Sequence, residues 1–508
     1  MHSPLLDHPG WRQGDTASIA RNFATLQFNI FYPQTNYDGP PPNYVELELQ
    51  IVPFLAATGY KVFGVHEVFG RLISLAFSLG TVALAGLFAR RLFASGTAGI
   101  FAAFVYAVMP GSIYYGRTFT PDTTMVFFLT AALYAFTGLL AEDEAWTWRA
   151  AASAGTLLLF ALLAKPVAAV AYIPIAALAV ERMRAGRTLN AAMLAAVLLV
   201  PAAVLLAYDR FVAAHAEWHW ASGITAKHVV PALAAAFESP AALHVKFTQL
   251  HQVLNMLVHT MTGPAAAGLA LAGLVFMPLA TRTRTLLWSW FAGALAYAFV
   301  VVTVERVDYY LYVFLPLAAI AAGGLAVRLR DAAAPRVTGR FARCAACGIV
   351  LVILAAMVRQ NVAIAAPYYR YSRTVYRNAV MLDAQLDKNA LVVMGHYDPS
   401  VLYYIGRYGW EEDPYLWTPF DEQSAIRKGA RYYIDIERNR FARNLELCAW
   451  MQRFPLLEKG AQWPVFVTDP RLAGRHADAQ WRSFRSAEAE GMGRAWLDAH
   501  GQCLLNKG

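Results

Sequence analysis

A few charged side chains set in apolar surroundings are where this chain could carry chemistry. The first stand in "HPGWRQGDTASIARNF" (8–23), where Arg12 and Asp15 precede Ile19, Phe23 and Leu26 at i, i+4 and i+7. That spacing predicts a short amphipathic helix. Asp15 has two readings. It is an N-cap accepting backbone N–H bonds, or a carboxylate held at a membrane surface as a general base or acceptor-binding group. A second acidic pair, Glu46 and Glu48, lies just ahead of the amphipathic run "LQIVPFLAATGYKVFG". At i, i+2 the two share one face of an extended segment and diverge on a helix, so one is expected to point into a site. A solvated loop end is the alternative.

In "YYGRTFTPDTTM", Arg117 and Asp122 occupy a tight turn between two apolar spans. Asp122 either caps the span beginning at Thr123 or faces the same cavity as Asp15. Lys165, in "LLAKPVAAV", is an ionisable residue between apolar runs, which is costly in a bilayer unless it snorkels or binds something. A lysine at the boundary can hold a lipid phosphate as a point charge. "VERVDYYLYVFLP" repeats the theme. Arg306 offers a second phosphate contact or pairs with Glu305 or Asp308, while Tyr309 and Tyr310 form an aromatic belt or line the same site. His215, Glu217, His219 and His228 invite a metal reading, but their spacing fits no strong ligand motif and a wet loop accounts for them.

Such residues need elements to position them, and the composition says which kind. The chain has 508 residues, 58% hydrophobic and 15% charged, against roughly 25% charged for a soluble domain. An integral membrane protein follows. The net charge of +9 sits in short loops rather than on one face, which excludes nucleic acid as a partner. A spanning helix needs about 20 apolar residues. Ten spans are expected: Phe69–Ala89, Thr97–Tyr115, Thr120–Leu140, Ala150–Ala164, Pro166–Val180, Ala191–Tyr208, Pro264–Ala280, Leu286–Val304, Tyr309–Val327 and Ala345–Met357. Alternate loops are Lys/Arg-dense and expected to be cytoplasmic, which puts the first segment, the loop Asp209–Gly263 and the tail on the outer side. No signal or leading span would carry the first segment outward, so an upstream helix is expected to precede it.

The organisation expected is therefore an outer loop with juxtamembrane helices over 1–68, a helical membrane domain over 69–358, and an extracytoplasmic domain over 359–508. In the last, "ALVVMG", "RYYIDI" and "WPVFVTD" are β-like runs between polar helical stretches, so a small α/β domain is expected. Cys344 and Cys347 read as small apolar residues of a helix rather than a metal or redox pair. Cys448 and Cys503 could pair if the tail lies outside the cytoplasm. The chain has no P-loop, GxGxxG, HExxH or GxSxG sequence.

The ordered set "WRQGDTASIARNF", "YVELELQIVPFLAATGYKVFGVHEVFGRLISLAFSLGTVALAGLFARRLF", "GRTFTPDTTM", "LLAKP" and "DYYLYVFLP" resembles the GT-C superfamily of polyprenyl-phosphate-sugar glycosyltransferases. Its nearest branches are the protein O-mannosyltransferases and the lipid A aminoarabinose transferases. The resemblance covers roughly residues 8–320; its strength lies in order and topology, not in any single motif. It implies a polytopic α-helical fold with an outer active site. Asp15 would match the proposed catalytic base, and Glu48, less directly Glu46, the second acid. Asp122 would match an outer-loop aspartate, Lys165 the "KP" lysine and Arg306 a late basic residue near the donor phosphate. Tyr309 and Tyr310 would join the donor site, with Arg12, Glu46, Arg117 and Asp122 lining it.

The chemistry fits the residues as well. A lipid phosphate is a good leaving group, so no nucleotide site is needed. One carboxylate can take the acceptor hydroxyl's proton as it attacks the anomeric carbon, with inversion, while Lys165 and Arg306 offset charge on the departing phosphate. No cofactor is required; a divalent ion held by Asp15 and Glu48 is compatible with the resemblance. The partners expected are the lipid-linked donor, a lipid, glycan or protein acceptor, and membrane lipids, in the inner membrane. A lipid-linked sugar flippase, an O-antigen ligase or polymerase, and a non-catalytic scaffold are the alternatives. Lys165→Ala is expected to weaken donor binding with folding kept.

Overall fold

A computed structural model describes residues 3–141, 147–186, 190–216, 225–276, 281–337, 339–457, 462–474 and 477–500. The chain forms two compact units. One is built on residues 46–215 and 220–370, the other on residues 2–45 and 371–508. The expected boundaries at 68 and 358 therefore shift. The first 45 residues group with the tail, and the last membrane helix runs on through Arg340–Ala365.

The first unit is helical, and each expected span has its helix. Seven segments among the described residues are long and apolar enough to cross a membrane: Val68–Phe93, Asp122–Leu139, Pro166–Arg184, Ala191–Ala213, Arg282–Glu305, Asp308–Ala333 and Arg340–Gln385. Gly96–Val108, Trp148–Ala164 and Pro264–Phe276 are shorter. Proline sets several of these limits. Met109 is extended ahead of Pro110, which ends the helix begun at Gly96. Lys165 is extended ahead of Pro166 (φ −167°, ψ 128°), so Trp148–Ala164 stops there and the chain resumes as a 3₁₀ turn, Pro166–Ala171. Cys344 and Cys347 are exposed free thiols on Arg340–Ala365, as the helical reading expects.

The loop expected over Asp209–Gly263 is largely helical instead. Ser239 caps Pro240–Met256 by accepting from the Ala242 N–H, and a π-turn, Leu257–Thr262, extends that helix to a 110° bend before Pro264–Phe276. Pro240 at the first helical position and the Ser cap are helix-start chemistry that the loop reading passed over. Of the suggested metal cluster, Glu217 and His219 lie outside the described residues. His228 pairs with Glu305 at 3.2 Å.

The second unit contains a four-stranded sheet: β1 (Leu391–Met394), β2 (Gly409–Glu411), β3 (Ala430–Ile434) and β4 (Val465–Val467), in the order β2-β1-β3-β4. β1 pairs in parallel with β2 and β3, and β4 runs antiparallel to β3. Strand alternation divides the core into two faces. Val392, Met394, Ile434 and Val465 pack on one, and Val393, Tyr433 and Phe466 on the other. The three predicted β-runs are β1, β3 and β4. β2 escaped prediction because it is three residues long and starts at a glycine. Cys448 is disulfide-bonded, and Cys503 lies outside the described residues.

Glu422 is fully buried in this unit and accepts the Trp417 indole N–H at 2.8 Å. Burial pushes its carboxyl up to about 8. A folded-state value raised above the unfolded one means that the native state holds more protons through the interval. Its contribution is thus full at low pH and is lost as pH rises towards 8, at up to ~1.4 kcal/mol per pH unit. Glu422→Gln is expected to stabilise the tail at pH 8 and to be near neutral at pH 4.5, read by tryptophan-detected unfolding of the full chain.

Candidate active site

Asp15 belongs to the second unit. Its helix, Gly10–Thr25, begins after Pro9 with no side-chain cap, so Asp15 lies in the second turn and is not an N-cap. The amphipathic expectation also needs correction. Ile19 and Phe23 are buried, but the helix ends at Thr25 and Leu26 is 47% exposed. Gln13, Thr16, Ser18 and Asn22 are as buried as the apolar residues. Their polar groups are satisfied locally. Gln13 donates to Asp7, Thr16 to the Arg12 carbonyl and Asn22 to the carbonyls of Gln34 and Thr35, while the Tyr408 hydroxyl donates to Asn22 Oδ1. The helix packs against Pro399–Ile405. Gly14 makes that possible, because a Cβ there would stand 2.5 Å from the Ser400 backbone nitrogen.

Around Asp15 the charges are close-set. Arg12 Nη1 is 4.0 Å from its Oδ2, with both side chains largely buried. The Tyr37 hydroxyl hydrogen-bonds Asp15 and is pushed well above its ordinary range, first by burial and then by the Asp15 charge. Glu411, at the end of β2, is buried, and its carboxyl is held well above the usual range by burial, then by Asp15 and Asp38. Gly39 N–H donates to the Gly409 carbonyl at 2.8 Å and Gly409 N–H to the Asn36 carbonyl at 3.1 Å, which ties the Tyr37 loop to β2.

In the first unit, Lys165 is the centre of a second cluster. Its Nζ donates to Asp122 Oδ1 at 2.7 Å, with side-chain exposures of 12% and 2%. The ammonium lies 4.3 Å from the Tyr310 ring centroid and 5.0 Å from that of Tyr309, within cation–π range. Asp122 is the first residue of its helix and makes no cap hydrogen bond, so the ion pair is its role. Tyr309 and Tyr310 sit on the 3₁₀ turn Asp308–Val313. Asp308 anchors that turn by accepting from the Tyr115 hydroxyl (2.6 Å), the Tyr368 hydroxyl (2.8 Å) and the Tyr309 N–H (2.8 Å). The Leu49 N–H donates to the Leu163 carbonyl at 2.9 Å, which brings the segment of Glu46 and Glu48 alongside the end of the Lys165 helix. Both glutamates are half-buried, and the charge of Glu48 reaches Tyr208 and that of Glu46 reaches Asp209.

Residues 50–208 match the family model described as dolichyl-phosphate-mannose-protein mannosyltransferase. ArnT from Cupriavidus metallidurans bound to undecaprenyl phosphate is similar in structure, with TM-score 0.55 and 14% identity over 92% of this chain and 95% of that one. The Archaeoglobus fulgidus oligosaccharyltransferase tethered to an acceptor peptide has TM-score 0.58 and 13% identity over 94% and 72%. The chain shares the fold of these two proteins. A comparison with curated protein sequences finds no match.

Within the first unit the structure brings Asp122, Lys165, Tyr309 and Tyr310 together and ties the Glu48 segment to them. Arg306 is not part of that group. It is exposed, in the left-handed region at φ 52°, and its Nε meets the Thr303 carbonyl at 3.5 Å. Neither alternative pairing forms, since Glu305 goes to His228 and Asp308 to the tyrosines. Arg117 is buried against Tyr114 and Tyr369, with ring distances of 5.0 Å and 4.4 Å. Tyr37, Tyr115, Tyr368 and Glu411 were missed by sequence reasoning. Tyr115 beside "GRTF" carried a weak signal; Glu411 carried none. Among the described residues no three His, Cys, Asp or Glu side chains converge as a metal set.

The ion pair changes what truncation of Lys165 should do. Removing one partner of a buried pair strands the other, at a cost of about 3–5 kcal/mol. Lys165→Ala is therefore expected to lower the thermal unfolding midpoint in detergent, whereas Lys165→Met with Asp122→Leu recovers most of the loss.

Proposed function

We propose that this chain is an inverting glycosyltransferase. It moves a sugar from a polyprenyl-phosphate-linked donor to a lipid, glycan or protein acceptor on the extracytoplasmic face of the cytoplasmic membrane. The observation that carries the reading is the Lys165 cluster, which falls at a break at the end of an apolar helix and whose Asp122 and Lys165 lie inside the family match. An ammonium has three donors and Asp122 takes one, leaving two for phosphate oxygens. The similar structures support the donor class, since one is described with undecaprenyl phosphate and another, AglB, with a dolichol-phosphate. The disulfide at Cys448 supports an oxidising compartment for the tail.

In this reading the acceptor hydroxyl attacks the anomeric carbon and gives its proton to Asp15. The new C–O bond forms as the bond from that carbon to the phosphate oxygen breaks, and the electron pair leaves on the lipid phosphate. Lys165 offsets the charge that builds there. Tyr37 and Arg12 orient the Asp15 carboxylate, and Glu48, Glu46 and Arg117 line the sugar and acceptor path. Arg306 serves the donor phosphate only if its side chain turns inward from its exposed position.

A positioned base contributes roughly 10²–10⁴-fold. In proteoliposomes supplied with a polyprenyl-phosphate sugar, Asp15→Asn is expected to lose transfer by about that factor with donor binding retained. Transfer at the wild-type rate would remove Asp15 from the base role.

A further inference from the structure

The helix Pro240–Met256 turns a single charge inward. Its inward stripe is Ala242, Leu243, Lys246, Gln249, Leu250 and Val253, of which Lys246 and Val253 are buried. Lys246 is 3% exposed. Its ammonium lies 5.7 Å from the Phe299 ring centroid, and among the described residues it has no hydrogen-bond or ion-pair partner. The segments packed against this helix, 225–236, 257–262 and 298–305, contain one acid, Glu305, and that is engaged by His228 at 3.2 Å. The stem of Lys246 is buried while its ammonium, with no counter-charge among the described residues, keeps its donors open to an anionic ligand.

The position of the helix says which ligand. Gly263, at φ +78°, allows the 110° bend into Pro264–Phe276. With the latter arm crossing the apolar layer, the former lies within about 20° of the membrane plane, as an interfacial helix does. Its far side fits that place, with Val245 54% exposed and His244 and His251 exposed. Lipid phosphates lie at this depth.

We propose that Lys246 binds the phosphate of a lipid headgroup at the membrane–water interface, at a site separate from Lys165. The phosphate completes the missing ion pair, and Phe299 walls the site on the bundle side. The ligand chemistry is a phosphate ester on an acyl or polyprenyl tail, so two sources qualify: a bilayer anionic phospholipid and a polyprenyl phosphate.

The test uses the full chain in zwitterionic nanodiscs, titrated separately with phosphatidylglycerol, a polyprenyl phosphate and inorganic phosphate, with lipid binding counted by native mass spectrometry. Lys246→Gln is expected to weaken at least one lipid arm by about tenfold or more, the size of a lost charge-assisted contact, while Lys246→Arg stays within about threefold of wild type. Loss of phosphatidylglycerol binding marks a bilayer lipid site; loss confined to the polyprenyl phosphate marks a carrier site. Lipid binding by Lys246→Gln equal to wild type overturns the proposal, as does a loss seen with inorganic phosphate only. A folding control separates the structural reading: in lipid without anionic headgroups, Lys246→Met is expected to unfold at or above the wild-type temperature. Marked destabilisation there would make the lysine a packing residue and overturn the site. Because the readout is lipid binding, it stands or falls apart from the transferase reading, which Asp15→Asn addresses.

Discussion

A lysine at the end of an apolar helix is tolerated only if something compensates its charge, and in this chain that requirement organises the first unit. Pro166 forces Lys165 out of the helical region, which ends one helix and frees the side chain to reach Asp122 at 2.7 Å. Asp122 can be there because the next helix begins at it, directly after Pro121. The rings of Tyr309 and Tyr310 then cover the ammonium, and they are held by the turn that Asp308 anchors. Three elements distant in sequence thus converge on one charge. The same logic explains why Asp308 does not pair with Arg306: two tyrosine hydroxyls and a backbone N–H already fill its oxygens.

The second unit solves a different problem. The helix Gly10–Thr25 has few apolar residues, yet nearly all of it is buried. Burying polar residues is affordable only when each finds a partner, and here loop carbonyls, helix carbonyls and Tyr408 provide them. Asp15 is consequently fixed by the tail as well as by its own helix. Its environment contains a buried tyrosine and a buried glutamic acid. Two carboxyl groups in one buried place cannot both ionise freely. Arg12 lies beside Asp15, and burial holds the Glu411 carboxyl well above its usual range.

Where the sequence was legible, a one-dimensional signal matched a physical constraint. Apolar length located a helix for each expected span, seven of which among the described residues are long enough to cross a membrane, and β-branched and aromatic runs located three of four strands. Lys165 stood out because an isolated charge in apolar sequence is rare. What stayed hidden depended on long-range contacts. Nothing near Asp15 announces Glu411, almost 400 positions away. The N-cap expectation failed because the helix starts five residues earlier, at Gly10, with no capping side chain to mark it. The loop Asp209–Gly263 misled because exposed apolar residues and histidines dilute its periodicity, although Ser239-Pro240 was there to be read.

The same contrast accounts for a fold shared at 12–14% identity. A membrane helix is specified by length and apolarity, which very many sequences meet. The positions where helices break are less negotiable, because they decide which side chains reach the membrane boundary. In this chain those breaks fall at Pro110, Pro121, Pro166 and Gly263. Two of the four sit directly beside the Lys165–Asp122 pair, and a third turns the chain by 110° after the Lys246 helix. Local backbone chemistry at a few residues therefore sets the placement of the charges, while the spans between them are free to drift.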